Sequence, residues 1–408
     1  MRSFRNLLAL SGAVTLAACG GDTRPATVGG SAAVPSGTPT PTHSFVTPTE
    51  SKTYESIGGV QHYEYYTDSN KVGQGGQLYA GDANTARDSG ISVTYNPRDA
   101  IFELTINRPN GLVNVSAFRY QDPQHRTAFG GPLQPQAGVP NFASSRQIQY
   151  LEAGSSTGSA LASTSPYYPG SAGSEYPVMD DASSSTRQTL FYQKPGTTTK
   201  YVTYAGFVRN NVTGALQTPV SGSFLRETYS LDRAAFVFGE RSANSAVPGS
   251  GTGTFSGEMI ASMVVNVDPT TTLDATGSSY IQWMQGSQTS VIDFAAKTVK
   301  SNFTGTLFAP TIDAYTNALY PLSAGTSFSA TGSGTIDMIN RGGFTGSFSQ
   351  ACFAATCTAG NSLNIAGSSL DGTFFGPNAE EIGGGFRIVG GTPDQRIDIL
   401  GAYTGKKP

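Results

Sequence analysis

Leu370-Asp371-Gly372-Thr373-Phe374-Phe375-Gly376-Pro377-Asn378-Ala379-Glu380-Glu381-Ile382-Gly383-Gly384-Gly385-Phe386 is the stretch on which the reading of the fold turns. Up to Phe375 it has the composition of a half-buried strand. Gly376-Pro377-Asn378 ends that strand, because proline cannot donate to a β-ladder. Ala379 to Ile382 leaves room for one helical turn, with Asn378 placed to cap it. Gly383-Gly384-Gly385 then re-enters a strand where backbones can approach closely. Gly376, Pro377, Asn378, Gly383 and Gly384 therefore read as a corner that specifies a β-fold, not as an active site.

Runs of strand character continue on both sides. Toward the C-terminus they are Gly383–Val389 and Arg396–Tyr403. Upstream come Gly251–Met259, Ile260–Val267, Tyr280–Met284, Ser290–Val299, Phe303–Phe308, Phe328–Met338, Gly343–Ser349 and Ser369–Phe375. Small residues recur along these strands, as in Gly332-Ser333-Gly334-Thr335. A closed antiparallel barrel of about eight strands needs that mixture, and closure removes the exposed edges of an open sheet. A β-sandwich has the same periodicity and stands as the alternative.

Farther upstream, Val60–Tyr66, Ile91–Tyr95, Ala100–Ile106, Val113–Tyr120, Arg146–Leu151, Gln188–Tyr192, Lys200–Val208 and Gly222–Ser230 alternate large and polar groups between Gly, Pro and Asn breaks. This is the pattern of antiparallel strands. Two long irregular stretches interrupt them, Gln121–Ser145 and Ala153–Thr186. Loops of that length are commonly functional. They carry Phe129, Phe142, Tyr167, Tyr168 and Tyr176, aromatic residues of the type that protein-binding surfaces favour. These five are the candidate partner-binding residues.

The N-terminus points outside the cytoplasm. Arg2 and Arg5 precede a short apolar run, Leu7 to Leu16, which closes on Leu16-Ala17-Ala18-Cys19-Gly20. A basic start, a short apolar core and small residues before a cut describe a secretory signal; the run is too short to span a bilayer. From Gly20 to about Glu50 the chain is rich in Gly, Ser, Thr, Pro and Ala, with Thr38-Pro39-Thr40-Pro41-Thr42 at its centre. It reads as a tether. The expected organisation is signal peptide 1–18, tether 19–50, a β-rich handle-like domain 51–245 and a barrel 246–408.

Of 408 residues only 13% are charged, with a net charge of -3, and no basic tract tracks phosphates, so nucleic acid is not an expected partner. Beyond Cys19 the cysteines are Cys352 and Cys357, which in an oxidising compartment read as a disulfide. The histidines are His43, His62 and His125. His62 and Glu64 share a strand face but lack a third ligand, and read as a solvent-facing pair. Tyr63, Tyr65, Tyr66, Tyr201 and Tyr204 read as cross-strand packing. No nucleophile elbow, phosphate loop or metal-ligand spacing stands out, so neither a cofactor nor a metal is expected and the chain does not read as an enzyme.

Several of these segments resemble the transferrin-binding protein B-like lipoproteins. Leu16-Ala17-Ala18-Cys19 resembles the lipobox, which implies that Cys19 carries the lipid and begins the mature chain. Gly239-Glu240-Arg241 and Val247 to Gly257 resemble the entry into that family's barrel. Val291-Ile292-Asp293-Phe294-Ala295-Ala296-Lys297-Thr298-Val299 is similar to one of its hairpins, and the Leu370 to Phe386 stretch is the most specific match. Gly401-Ala402-Tyr403 followed by Lys406-Lys407 fits its closing strand. The resemblance implies an all-β chain with a handle followed by a soluble eight-stranded antiparallel barrel. It implies an outer-membrane, surface-exposed lipoprotein that captures a host or environmental protein, or a metal- or haem-carrying ligand, for iron acquisition through a TonB-dependent receptor. The family's full proteins have two lobes, and this chain has the length of one. The alternatives are a structural or adhesive surface lipoprotein and an extracytoplasmic hydrolase.

Overall fold

The structure, a computed structural model, describes residues 44–68, 76–78, 89–107, 115–121, 139, 141–157, 181–266, 280–308, 322–391 and 396–408. Among these, all elements longer than three residues are strands. They are β1 (Lys52–Glu55), β2 (Ile57–Asp68), β3 (Gly76–Leu78), β4 (Ile91–Asn96), β5 (Ile101–Ile106), β6 (Val115–Gln121), β7 (Ile148–Thr157), β8 (Ser183–Gln193), β9 (Val202–Gln217) and β10 (Phe224–Gly239), followed by β11 (Thr252–Asn266), β12 (Tyr280–Asp293), β13 (Thr298–Leu307), β14 (Ser327–Asp337), β15 (Gly343–Cys352), β16 (Asn364–Phe375), β17 (Glu381–Gly391) and β18 (Arg396–Lys406). Ser144–Arg146 and Asn244–Ala246 are single 3₁₀ turns.

Strands β11 to β18 pair in sequence order and close on themselves into an eight-stranded barrel. The closing ladder joins β18 to β11, with Met259 opposite Tyr403 and Val265 opposite Ile397. Alternation places Phe255, Met263, Met284, Phe303, Phe344, Leu370, Phe386 and Tyr403 inside, where they form one buried core. Neighbouring rings meet at ordinary aromatic distances: Phe303 lies 5.0 Å from Phe386 and 5.3 Å from Tyr403. The barrel is a filled one, as expected for this strand number.

The upstream strands form two sheets, β1-β4-β5-β6 and β3-β2-β10-β9-β8-β7. The six-stranded sheet is a middle layer with two apolar faces. On one face lie Val60, Ala234, Phe207 and Leu190, a cross-strand row that packs on Val93, Phe102 and Leu104 of the four-stranded sheet. On the other face Ile57, Phe191, Val208 and Ala235 pack on Ile260, Trp283 and Ala402 of the barrel wall. Both faces of β8, β9 and β10 are covered along much of their length, which explains their near-continuous buried runs.

Three expectations change in detail. The helical turn after Gly376 does not form: residues 376–379 make a β-turn with Gly376 at φ 86° and Ala379 at φ 57°, and Glu381 already starts β17. Glu380 does the capping, its carboxylate accepting from Asn378 N–H and Nδ2 at 2.9 and 3.0 Å. Gly251–Met259 and Ile260–Val267 are one strand, β11. The expected run Ser290–Val299 straddles the turn between β12 and β13.

Candidate functional site

The corner at Gly376 to Glu381 is where the barrel meets the six-stranded sheet. The buried Glu381 carboxylate accepts backbone N–H bonds from Lys200 (2.6 Å), Tyr201 (2.8 Å) and Val202 (3.2 Å), at the start of β9. Burial pushes its pKa above the ordinary carboxylate value, against the opposing pull of those three donors. Gly376 N–H donates to Glu240 O, and Ser242 Oγ donates to Gly376 O. Gly384 lies so close to its neighbours that a Cβ there would stand 2.0 Å from Asp371 O. The corner's composition thus serves close strand approach on one side and docking of the barrel on the other.

A second fastening lies farther up the wall. Arg146, in the first 3₁₀ turn, reaches the barrel and donates to Gly286 O (2.7 Å), Glu258 Oε2 (3.3 Å) and Tyr204 Oη (3.3 Å). Glu258 Oε2 also accepts from Gln193 Nε2 (2.9 Å) and Tyr204 Oη (2.8 Å). Burial pushes the Tyr204 hydroxyl pKa well up, so it acts as a neutral donor. Arg146 and Glu258 line an open cleft of about 600 Å³ with Ser145, Gln285, Ser287 and Thr304. This fastening is invisible in the sequence, since Arg146 and Glu258 stand 112 positions apart.

Phe142 requires a correction. It is not on an exposed loop but 5% exposed, its ring 5.4 Å from both Phe191 of β8 and, edge to face, Phe308 just after β13. Its ring is worth more as a filler between sheet and barrel than in water. Phe129, Tyr167, Tyr168 and Tyr176 lie outside the described residues, as does Cys19.

His62 also departs from expectation. It is buried, with Nδ1 2.7 Å from Asp232 Oδ1, and Arg209 Nε donates to Asp232 Oδ2. The three occupy one cross-strand row of β2, β10 and β9 on the face toward the four-stranded sheet. Among the described residues no group of three His, Cys, Asp or Glu could hold a metal ion. Cys352 and Cys357 are joined in a disulfide, Cα atoms 5.5 Å apart, between β15 and β16.

The sheet's other end is built differently. Strand directions bring the C-terminal ends of β2, β7 and β9 and the starts of β8 and β10 together there. Asp68, Gly76, Thr157 and Ser183 therefore lie at this end. Residues 215–217 of β9 pair only with β10, beyond the start of β8, so the hairpin projects past the sheet. Its tip presents Val220, fully exposed, and Leu216, half exposed.

The geometry defines a class: an all-β protein in which a filled eight-stranded barrel docks on one face of a two-sheet layer. Residues 247–407 match the family described as the C-lobe and N-lobe β-barrels of Tf-binding protein B. The C-terminal barrel of this chain is of the transferrin-binding protein B type. Similar solved structures include a tryptophan-to-alanine mutant of Transferrin Binding Protein B from Haemophilus parasuis Hp5 (10% identity, 86% of this chain and 76% of that one, TM-score 0.28). They also include intact Ap-TbpB with N and C lobes (11%, 88% and 80%, 0.27) and Transferrin binding protein B from serogroup B Neisseria meningitidis (12%, 88% and 77%, 0.22). No curated protein matches the chain.

Proposed function

We propose that this chain is a surface-exposed outer-membrane lipoprotein, lipidated at Cys19, whose residues 51–245 and 246–408 act as handle and barrel. In this reading it captures an iron-carrying protein or a haem carrier and presents it to a TonB-dependent outer-membrane receptor. The observation that carries the reading is the match of residues 247–407 to the barrels of Tf-binding protein B, in a chain that opens with a lipoprotein-type signal. A disulfide between Cys352 and Cys357 suits an oxidising compartment. The filled barrel core leaves the outer surface and loops for recognition, and the exposed β9–β10 tip at Val220 is the proposed contact region, with Tyr167, Tyr168 and Tyr176 as further candidates from the sequence. The role is binding, not catalysis.

The test is a pull-down with the mature protein against transferrin-type carriers, haem and haem proteins. Saturable capture of one of them is expected, with Val220→Asp weakening it about tenfold while leaving the melting temperature unchanged. Absence of saturable binding across the set would favour a structural or adhesive role. Turnover of hydrolase substrates that one point substitution abolishes would replace the reading with an enzymatic one.

A further inference from the structure

The end of the molecule where the chain enters the fold is also its basic end. Phe45 is wedged against Tyr54 and Phe238, at ring distances of 5.3 and 5.6 Å. Val46 lies against Gly196 in the turn between β8 and β9. Phe45 and Val46 therefore sit beside that turn, opposite the projecting β9–β10 tip.

The same turn carries Lys194 and Lys200, both exposed. The Glu381 bonds to residues 200–202 hold it at one rim of the barrel. That rim is made by the turns β12–β13, β14–β15 and β16–β17 and by the end of β18. It exposes Lys297, Arg341 and Lys406. Its parts are tied together: Ile336 N–H donates to Lys297 O, Asn244 Nδ2 to Met338 O, and Lys407 N–H to Glu380 O.

The carboxylates of this rim are held by local bonds, and Asp337 and Glu380 are also near Arg341 and Lys407. Asp293 accepts from Ala296 N–H, Asp337 from Ile339 and Asn340 N–H, and Glu380 from Asn378. Glu240 pairs with Lys52. These four carboxylates are half-buried, whereas the five cations project; Glu55, whose backbone carbonyl accepts from Arg241 at this rim, is an exposed carboxylate. Projecting cations thus outnumber projecting carboxylates at this rim, in a chain whose net charge is -3.

We propose that this rim is a docking surface for an anionic lipid bilayer, with Lys194, Lys200, Lys297, Arg341 and Lys406 set against headgroup phosphates. This rests on the lipid anchor of the proposed function and deepens it. A lipid at Cys19 acting through the 19–50 tether bounds the distance to a membrane but not orientation; basic residues on the body add a second, electrostatic attachment. With the rim seated, β9 and β10, each of 16 residues, carry Val220 roughly 50 Å from the base at about 3.3 Å per residue. The tip then faces away from the bilayer.

The experiment uses the mature lipidated protein on phosphatidylcholine vesicles, with or without about 30 mol % phosphatidylglycerol. Flotation reads the anchor; amine acetylation followed by mass spectrometry reads the face. Lys194, Lys200, Lys297 and Lys406 are expected to label about fivefold more slowly on the anionic vesicles, a contrast lost near 0.5 M NaCl, where charge interactions are screened. Flotation with equal labelling on both compositions overturns this inference and leaves the anchor standing. Failure to float with either composition overturns the anchor and this inference together.

Discussion

At the scale of single residues, Glu381 and Gly384 show how one motif serves two neighbours. Glu381 offers two acceptor oxygens to three backbone donors in a buried setting. Replacement by Gln turns one acceptor into a donor facing donors. Glu381→Gln should destabilise the fold by about 1–3 kcal/mol, read as a lower urea midpoint. The pH dependence has a definite sign. Burial raises the folded-state pKa of Glu381 above its ordinary value of 4.5, so the folded chain holds this proton more tightly than the unfolded one. This group's contribution to stability is then greatest below that ordinary value and falls as pH rises through the raised folded value. Midpoints measured between about pH 4 and pH 8 should show that fall in the parent and lose it in Glu381→Gln. Gly384→Ala is a steric case. Its Cβ would meet Asp371 O at 2.0 Å and Tyr403 Oη at 2.5 Å, both in the buried ladder between β16, β17 and β18. A backbone oxygen cannot swing aside, so a loss above about 3 kcal/mol, or failure to accumulate folded protein, is expected.

At the scale of elements, the barrel has one weak seam. β15 and β16 pair only at Phe344, Thr345 and Gly346, opposite Gly372, Asp371 and Leu370. Beyond these pairs β16 runs from 364 to 369 against 347 to 350 of β15, crossed by the bond from Phe348 N–H to Ser368 Oγ. The far end is drawn together again by Leu363 N–H to Ala351 O and by the disulfide. The amides of Ser347 to Gln350 that point away from β14, and those of Asn364 to Ser369 that point away from β17, should exchange faster with deuterium than those of β11 and β12. Reduction of Cys352–Cys357 should speed exchange there further and cost about 2 kcal/mol, the loop being short. Uniform protection around the barrel would contradict this. The strands themselves were mostly legible, because alternation reports one covered face: Ile91–Tyr95 and Ala100–Ile106 differ from β4 and β5 by a residue. What misled was polarity inside long strands. Asn210, Asn211 and Gly214 read as breaks, yet β9 runs through them to Gln217. Thr186 bonds Asn211 across the strands, and hairpin pairing continues past the sheet. His62 was misread for a related reason. A strand's period assigns side chains to a face but does not say that the face is roofed by a second sheet, or that Asp232 waits opposite.

At the scale of the whole molecule, the sheets and the barrel share a core. Phe142, Phe191, Trp283 and Phe308 form one aromatic cluster across the junction, with Phe191 and Trp283 5.3 Å apart and edge to face. Phe142 was legible as an aromatic in a long loop, but its partner Phe308 lies 166 positions away (308 minus 142), beyond any local pattern. A junction with a dry aromatic centre, the Arg146–Glu258 fastening on one side and the Glu381 clamp on the other does not behave like the polar, modest interfaces that let domains move independently. The two parts should therefore unfold together. Trp283 is the chain's single tryptophan and is fully buried at this junction, so its fluorescence reports separation of barrel and sheet. Far-ultraviolet circular dichroism reports loss of strands throughout. In urea the two signals should fall along one curve with one midpoint, and Phe142→Ala should move both by the same amount, about 3–5 kcal/mol. An early fluorescence change with the dichroism intact would mean that the barrel separates before it melts. The rigid spacing between the basic rim and the β9–β10 tip would then not survive as a property of the fold.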